Sequence, residues 1–270
     1  MSNITLSAGV RQNLLALQNT ASELSATQNK LATGKKVNSA LDNANEYFTS
    51  QSLNNRANSL SALLDGITNG VNTIQAANNG ISAITKLVQS AQSLATQAQQ
   101  TTDTTVRSNL ATQFDAIRTQ IDQLAGDSGY NGTNLLGSNS LTLTLNESGT
   151  STATVTGVDD TSAGLGVVAS ANNWGGASDI SAASTTLTAA LTTLQSQAST
   201  LSSSLSTVQI RSDFTKATIN TLQTGASALT AADTNQEGAN LLALQTQQSL
   251  ATTALSLSTQ SDRNVLKLFG

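Results

Sequence analysis

The chain has 270 residues, of which 38% are hydrophobic, only 3% aromatic and 10% charged, and its formal net charge is -4. So few charges and a slight acidic excess provide no basic surface for nucleic acid or an anionic membrane, and neither is expected as a partner. Histidine and cysteine are absent, which excludes thiolate nucleophiles, imidazole bases and the common zinc sites, so we expect no enzyme activity, no cofactor and no metal.

Residues 1–10 contain no charged segment followed by an apolar run, so no cleavable signal peptide is predicted. No stretch approaches the roughly 20 apolar residues of a transmembrane helix, and membrane insertion is not expected. Proline is also absent. Nothing in the sequence therefore prevents the chain from forming long helices.

The first predicted element is an N-terminal helix whose apolar residues recur in alternating steps of four and three. These residues are Val10, Leu14, Leu17, Ala21, Leu24 and Leu31, with Gln28 in the remaining position. Such spacing is typical of a coiled-coil seam. A break is predicted near residues 33–44, where residues that favour caps and turns are concentrated: Gly34, Asn38, Ser39, Asp42 and Asn43.

Two further helices are predicted before the middle of the chain. The longer one has an apolar seam that runs from Leu60 through Ile74 and Val88. Asp103 is the predicted N-cap of the next helix, whose apolar residues run from Val106 to Leu124. Glycines at positions 126 and 129 follow, and we expect them to end that helix.

Between Leu135 and about Ile180 the sequence becomes rich in threonine, and apolar and polar residues alternate. Three leucines, at positions 141, 143 and 145, share one face, and a second run follows at residues 150–156, so two short strands are predicted. The glycine cluster at residues 164–176, which includes Trp174, predicts a loop or hairpin tip. We expect this loop to be the most exposed segment of the chain.

Helical spacing returns for the rest of the chain. Leucines from Leu187 to Leu205 form one stripe, Ile210 and Phe214 begin a second, and a break is predicted at residues 225–235. The last helix has a seam composed of Leu241, Leu244, Ala251, Leu255, Val265 and Phe269. A second stripe beside that seam contains Leu250, Ala254 and Leu257.

The order of elements is nearly symmetric about the middle, so the chain is expected to fold back on itself. The predicted fold class is mainly α, with the N- and C-terminal helices paired as a coiled coil that continues into a long helical bundle. A small β-rich segment, about residues 137–180, lies at the outer end. The predicted domains are an inner coiled coil of residues 1–40 and 235–270 and an outer helical domain of residues 41–234.

A terminal helix pair on its own would leave leucines in water, because Leu15 adjoins Leu14 and Leu242 adjoins Leu241. Copies of the chain could cover these side chains. The low charge of both seams suits stacking of identical helices, since like charges repel in a dry interface. Periodicity alone, however, fits a monomeric helical bundle equally well.

Residues 33–44, Thr-Gly-Lys-Lys-Val-Asn-Ser-Ala-Leu-Asp-Asn-Ala, resemble the N-terminal signature of bacterial flagellins, in which a Ser/Thr-Gly turn leads through Asn-Ser-Ala to an acidic residue. Other segments that resemble this family are Asn69-Gly70, residues 130–136, Ala232-Asp233 with Glu237, and residues 265–269. The short middle segment and the Ala-Leu-Asp-Asn sequence at residues 40–43 are similar to those of alphaproteobacterial members of the family.

The resemblance implies a structural subunit that polymerises into the flagellar filament, the helical propeller for swimming. It implies an extracellular location, reached by unfolded export through the flagellar type III apparatus without a cleaved signal peptide. Implied partners are other copies of the chain, hook-junction proteins, a cap protein and an export chaperone. The alternatives are a secreted adhesin and a hook-junction protein of the same superfamily.

The terminal seams and the first break are the expected subunit interface. Its residues are Val10, Leu14, Leu17, Leu24, Leu31, Lys36, Asn38, Asp42, Leu241, Leu244, Ala251, Leu255, Val265 and Phe269.

Flagellins that the Toll-like receptor senses carry an Arg in an Arg-Glu-Leu-Ala-Val stretch. Residues 92–96 of this chain read Gln-Ser-Leu-Ala-Thr, and a nearby Glu of the family aligns with Gln113. Both charges are missing, so charge-assisted hydrogen bonds to a receptor are lost. We expect weak or no receptor recognition.

Overall fold

The computed structural model describes residues 8–269, with side chains described to residue 264. The elements in chain order are α1 (Ala8–Thr33), α2 (Ala44–Gln99), α3 (Thr104–Asp127), β1 (Leu141–Thr144), β2 (Thr152–Val155), a short 3-10 helix (Ala171–Trp174), α4 (Ala177–Thr230) and α5 (Thr234–Phe269). The predicted class, mainly helical with a small sheet, is confirmed. None of the described helices is long and apolar enough to cross a membrane.

The chain divides into two compact units. The first unit comprises Met1–Asn55 and Thr221–Gly270, and the second comprises Arg56–Asn220. The sequence predicted domain boundaries at residues 40–41 and 234–235, which coincide with the breaks between helices. That division stays a prediction.

A single hydrophobic core fills the second unit. Aliphatic side chains from α2, α3 and α4 make up most of it, among them Ile67, Ile74, Ile81, Ile84, Ile121, Leu187 and Leu194. Two glycines of α2 let other segments come close to the helix, because a Cβ on Gly80 would collide with Ser128 and Leu136 and one on Gly70 would lie 2.5 Å from Leu143. Strand β1 and the segment before it therefore pack directly on α2.

The predicted cap of α3 is confirmed. Asp103 has an extended backbone, and its carboxylate accepts hydrogen bonds from the backbone N–H of Thr105 at 2.8 Å and of Val106 at 3.3 Å. These N–H groups have no partner within the helix, so the cap satisfies them.

The predicted strands are also confirmed. β1 and β2 pair antiparallel, with Leu141 opposite Val155 and Thr144 opposite Thr152. Leu143 and Val155 are buried in the core of the second unit. Because successive side chains point to opposite faces of a strand, the intervening threonines 142, 144 and 154 are exposed.

The prediction that the glycine-rich loop is exposed was wrong for Trp174. Its side chain is fully buried, and its ring lies 5.0 Å from that of Phe114. Residues 172–174 all have positive φ, between 49° and 58°, and this left-handed turn aims the indole into the core. Burial of a large aromatic surface offsets the backbone strain, which glycine spacing alone cannot reveal.

The rest of this loop is tied to α3. Arg118 Nε donates a 2.8 Å hydrogen bond to the carbonyl oxygen of Val167, and the Asp115 carboxylate accepts from the N–H and the hydroxyl of Ser170 at 3.0 and 2.6 Å. Charge-assisted bonds of this kind are stronger than neutral ones. The segment therefore belongs to the core of the second unit.

The second predicted break is shorter than expected. Helix α4 continues to Thr230, with Gly225 inside it, and α5 begins at Thr234. Asp233 ends the break, since its carboxylate accepts from the N–H of Asn235 at 2.9 Å and of Gln236 at 3.2 Å. The three-residue connection is thus closed by an N-cap.

One carboxyl group in the second unit is buried without good hydrogen bonds. Asp160 is fully buried, and in the described part of the chain neither of its carboxyl oxygens has a partner of good geometry. Burial raises the pKa of Asp160 to about 6, although interaction with the Gln197 amide lowers it and the charge of Asp159 raises it further. The neutral form of this acid suits the folded chain better than the charged form.

We predict that Asp160→Asn removes a pH dependence of stability. The pKa of Asp160 in the folded chain lies above its ordinary value of 3.8. Asp160 therefore stabilises the fold most below pH 3.8, and this contribution is lost as the pH rises through about 6. Melting curves of the unpolymerised subunit should show a Tm difference, variant minus wild type, that grows between about pH 4 and pH 7.

The matched control is Asp213→Asn, which changes an exposed carboxylate on α4. Its Tm difference from the wild type should not follow the same pH profile. Parallel profiles for Asp160→Asn and the wild type would contradict the prediction.

Candidate assembly surface

The two ends of the described chain pair with each other. Helices α1 and α5 contact along their length, and the pairing is antiparallel. Near the end of α1, Lys30 Nζ lies 3.4 Å from the Glu237 carboxylate at the start of α5. Near the start of α1, a Cβ on Gly9 would lie 3.7 Å from Ser258 Oγ. The predicted pairing of the terminal helices is confirmed.

Only one side of the predicted α1 seam is covered. Val10 is buried, and the leucines at positions 17, 24 and 31 are half-buried, as the spacing predicts. Leu14, Ala21 and Gln28 are exposed, and their places in the contact are taken by polar residues one position earlier: Asn13, Thr20 and Thr27. These polar residues were missed because nothing in their chemistry marks them as a helix contact.

The physical reason lies in helix geometry. The third and the fourth residue after a seam position flank it on opposite sides, so both can complete a heptad pattern. Apolar content favours the side that contains Leu14. The structure uses the side that contains Thr27, which is only 6% exposed.

Helix α5 packs on α1 through the face of α5 that the sequence predicts. Leu241, Leu244, Ala251 and Leu255 are half-buried, together with Ser258. The stripe beside this face is open, because Leu250 is 65% and Leu257 is 70% exposed. Val265 and Phe269, also predicted for the interface, lie outside the residues whose side chains are described.

Among the side chains that the structure describes, five leucines of the terminal helices are therefore exposed to solvent. We call them the uncovered leucines: Leu14, Leu15, Leu242, Leu250 and Leu257, with exposures between 37% and 70%. Full burial of a leucine side chain is worth about 1.5–3 kcal/mol relative to exposure. These leucines thus leave an unfavourable apolar area of the two helices in contact with water.

The break after α1 and the break after α4 are hydrogen-bonded to each other. Lys36 N–H donates to the carbonyl oxygen of Thr230 at 2.8 Å, and Ala232 N–H donates to that of Gly34 at 2.9 Å. Gly34 has a left-handed conformation with φ of 67°, which ends α1. This joint fixes where α1 ends and α5 begins, and hence the register of the two helices.

The predicted interface residues of the first break find partners within the chain. The Asp42 carboxylate accepts hydrogen bonds from the N–H groups of Asn38 and Ser39, both at 2.9 Å. The bond from Ser39 and then that from Asn38 hold the pKa of Asp42 below its ordinary value. Lys36 Nζ lies 3.5 Å from the carboxylate of Glu46. These side chains shape the break, which explains the spacing between Asn38 and Asp42.

In the described part of the chain there is no group of three or more acidic, histidine or cysteine side chains that could hold a metal ion. Lys30 of α1 is paired with Glu237 of α5. The arrangement can bind another apolar, weakly charged helix surface.

Comparisons with known proteins all find similarity to one family. The family models for the bacterial flagellin N-terminal and C-terminal helical regions match residues 6–140 and 184–269. Flagellin FljM of Caulobacter vibrioides is 31% identical over 264 residues, or 95% of either chain, and the flagellin of Brucella melitensis is 30% identical over 100% of this chain and 99% of its own. The crystal structure of Bacillus cereus flagellin shares 18% identity and a TM-score of 0.48, covering 54% of this chain and 86% of that one.

Proposed function

Because the chain belongs to the bacterial flagellin family, we propose that the uncovered leucines of α1 and α5 are the surface through which its copies polymerise. Members of this family are structural proteins that form the extracellular flagellar filament, and the present chain is such a filament subunit. Its resemblance to alphaproteobacterial members is confirmed, since Caulobacter and Brucella belong to that class. The observation that carries the proposal is the exposure of these leucines on the paired terminal helices.

Magnitudes explain why several neighbours are needed. Burial of all five uncovered leucines would contribute on the order of 10 kcal/mol before any cost is counted. Association of two proteins costs an estimated 4–15 kcal/mol of lost translational and rotational freedom. A single pairwise contact is therefore marginal. A subunit held by several neighbours at once is stable, as in a filament with open, repeating contacts.

The predicted interface residues then divide into three roles. Val10, Leu17 and Leu24 are covered within the chain and hold α1 on α5, as do the half-buried residues of α5. Leu14, with the other uncovered leucines, contacts neighbouring copies. Lys36, Asn38 and Asp42 act indirectly, because they form the joint that sets the register of the terminal helices.

The domain division that the sequence predicts fits this proposal. The inner domain, residues 1–40 with 235–270, contains the helix pair, and the outer domain comprises residues 41–234. Hydrogen bonds between Lys36 and Thr230 and between Gly34 and Ala232 lie where the two domains would meet in the chain. We expect the inner domain to line the filament and the outer one to surround it.

The remaining partners follow from family membership. We propose that hook-junction proteins, a cap protein and an export chaperone contact the chain, and that it has no catalytic role. Export proceeds through the flagellar type III apparatus.

The first prediction from the proposed polymerisation tests the assembly surface with the double variant Leu250→Ser/Leu257→Ser. Loss of two apolar contacts should cost at least about 3 kcal/mol per subunit and raise the concentration needed for growth at least about a hundredfold. Elongation of short filament seeds, followed by electron microscopy, measures this effect. The soluble variant should keep its helical circular dichroism.

The matched control is Gln245→Ser/Gln260→Ser, which shortens two exposed polar side chains on the same helix. Subunits of this control should elongate the filament seeds as wild-type subunits do. Equal growth by the leucine variant and this control would show that the assembly surface lies elsewhere.

A second prediction concerns export. If the type III route delivers the chain without cleavage, subunits from sheared filaments should have the mass of the full 27.6 kDa sequence. Intact mass spectrometry measures this directly. A species that lacks the first 15 to 30 or so residues, the length of a signal peptide, would contradict the proposed route.

A third prediction concerns the Toll-like receptor. Gln92 is half-buried and donates to the Thr188 hydroxyl at 3.3 Å, and Gln113 is exposed, so neither position offers a charge to a receptor. Monomeric protein should give a weaker reporter-cell response than a flagellin with the Arg-Glu-Leu-Ala-Val stretch. The variant Gln92→Arg/Gln113→Glu should restore part of the response, and a full response from the wild type would refute the prediction.

A further inference from the structure

Aromatic side chains are scarce in this chain, yet two phenylalanines lie in solvent. Of the four phenylalanines in the sequence, Phe114 is fully buried, whereas Phe48 is 61% and Phe214 is 62% exposed. Neither lies on the terminal helix pair. Exposure of a side chain that gains so much from burial indicates a surface that another molecule covers.

Each exposed phenylalanine has a second exposed apolar side chain within seven residues of it in the chain. Near the start of α2, Phe48 packs edge-on against Tyr47, with ring centroids 5.5 Å apart, and Leu41 in the preceding break is 97% exposed. On α4, Ile210 is 67% exposed and lies four residues before Phe214, so both side chains share one helix face. We call these the Leu41/Phe48 patch and the Ile210/Phe214 patch.

The charges beside the two patches are complementary. The Asp42 carboxylate is exposed next to Leu41. Glu46, within one turn of Phe48, is already paired with Lys36 at 3.5 Å. Arg211 is exposed next to Ile210, and Lys216, which is 3.6 Å from Asp213, lies close to Phe214 along the helix. The opposite charges of Asp42 and Arg211 favour contact between the two patches and disfavour contact of either patch with itself.

We propose that the Leu41/Phe48 patch of one copy packs against the Ile210/Phe214 patch of a neighbouring copy in the filament. This contact rests on the proposed polymerisation but uses a surface separate from the uncovered leucines. Two different patches make a head-to-tail contact, which repeats without closing, whereas a patch that binds itself gives a closed dimer. An open contact of this kind is what growth of a filament requires.

Absence of cysteine from the chain permits a clean test by cross-linking. Filaments assembled from Phe48→Cys/Phe214→Cys subunits are treated with a short bismaleimide and examined on denaturing gels. If the contact is head-to-tail, each subunit joins two others, and a ladder of dimers, trimers and higher species should appear. Filaments from an equal mixture of the two single variants should yield dimers and nothing larger.

The control pair is Phe48→Cys/Ser196→Cys, which places the second thiol on an exposed position of α4 about 27 Å along the helix from Phe214. A ladder no stronger than that of this control, in filaments of normal appearance, would overturn the proposal. Dimers from either single variant alone would also overturn it, because they would show a patch in contact with itself.

A second pair guards against loss of assembly when the phenylalanines are removed. If Phe48→Cys/Phe214→Cys subunits do not elongate wild-type seeds, Leu41→Cys/Ile210→Cys subunits keep both rings and should give the same ladder. Absence of that ladder from filaments of these subunits would refute the contact. Failure of the wild type itself to elongate seeds would instead refute the proposed polymerisation.

Discussion

Two helices that pair along one line can cover only one face of each other. This limit leaves the other faces of α1 and α5 open, and the assembly of the molecule depends on them. Helix α1 lies on α5 through Val10, three leucines and a row of polar residues. Each helix has a second apolar stripe, and no third helix covers it in the described chain. The most economical way to bury these stripes is to place them against other copies of the same chain.

The joint between the breaks makes this helix pair reproducible from copy to copy. Backbone hydrogen bonds connect Gly34 and Lys36 to the three residues that separate α4 from α5, and carboxylates of Asp42 and Asp233 close the turns on either side. A polymer needs identical subunits with identical interface geometry, because each small error is repeated at every contact. Side chains in the joint thus affect assembly without touching a neighbouring copy.

Sequence periodicity was reliable where a helix or strand has one buried face and unreliable where two faces compete. The cap at Asp103, the strands around Leu143 and Val155, and the α5 seam all follow from local chemistry and spacing. The exposure of Leu14 did not follow from spacing, because Asn13, a polar residue on the other side of the seam, took its place in the contact with α5. Trp174 did not either, since a left-handed turn among glycines and asparagines turned an apparent loop tip into core.

The sequence by itself determined the class of the fold, the positions of the breaks and the family resemblance, because these depend on residue spacing and turn chemistry within a few positions. Only the tertiary structure decided which stripe of α1 faces α5, which leucines stay in water, and that Phe48 and Phe214 are exposed while Phe114 and Trp174 are buried. Those outcomes depend on partners distant in the chain. A local pattern records that a side chain is apolar but contains no information about what will cover it.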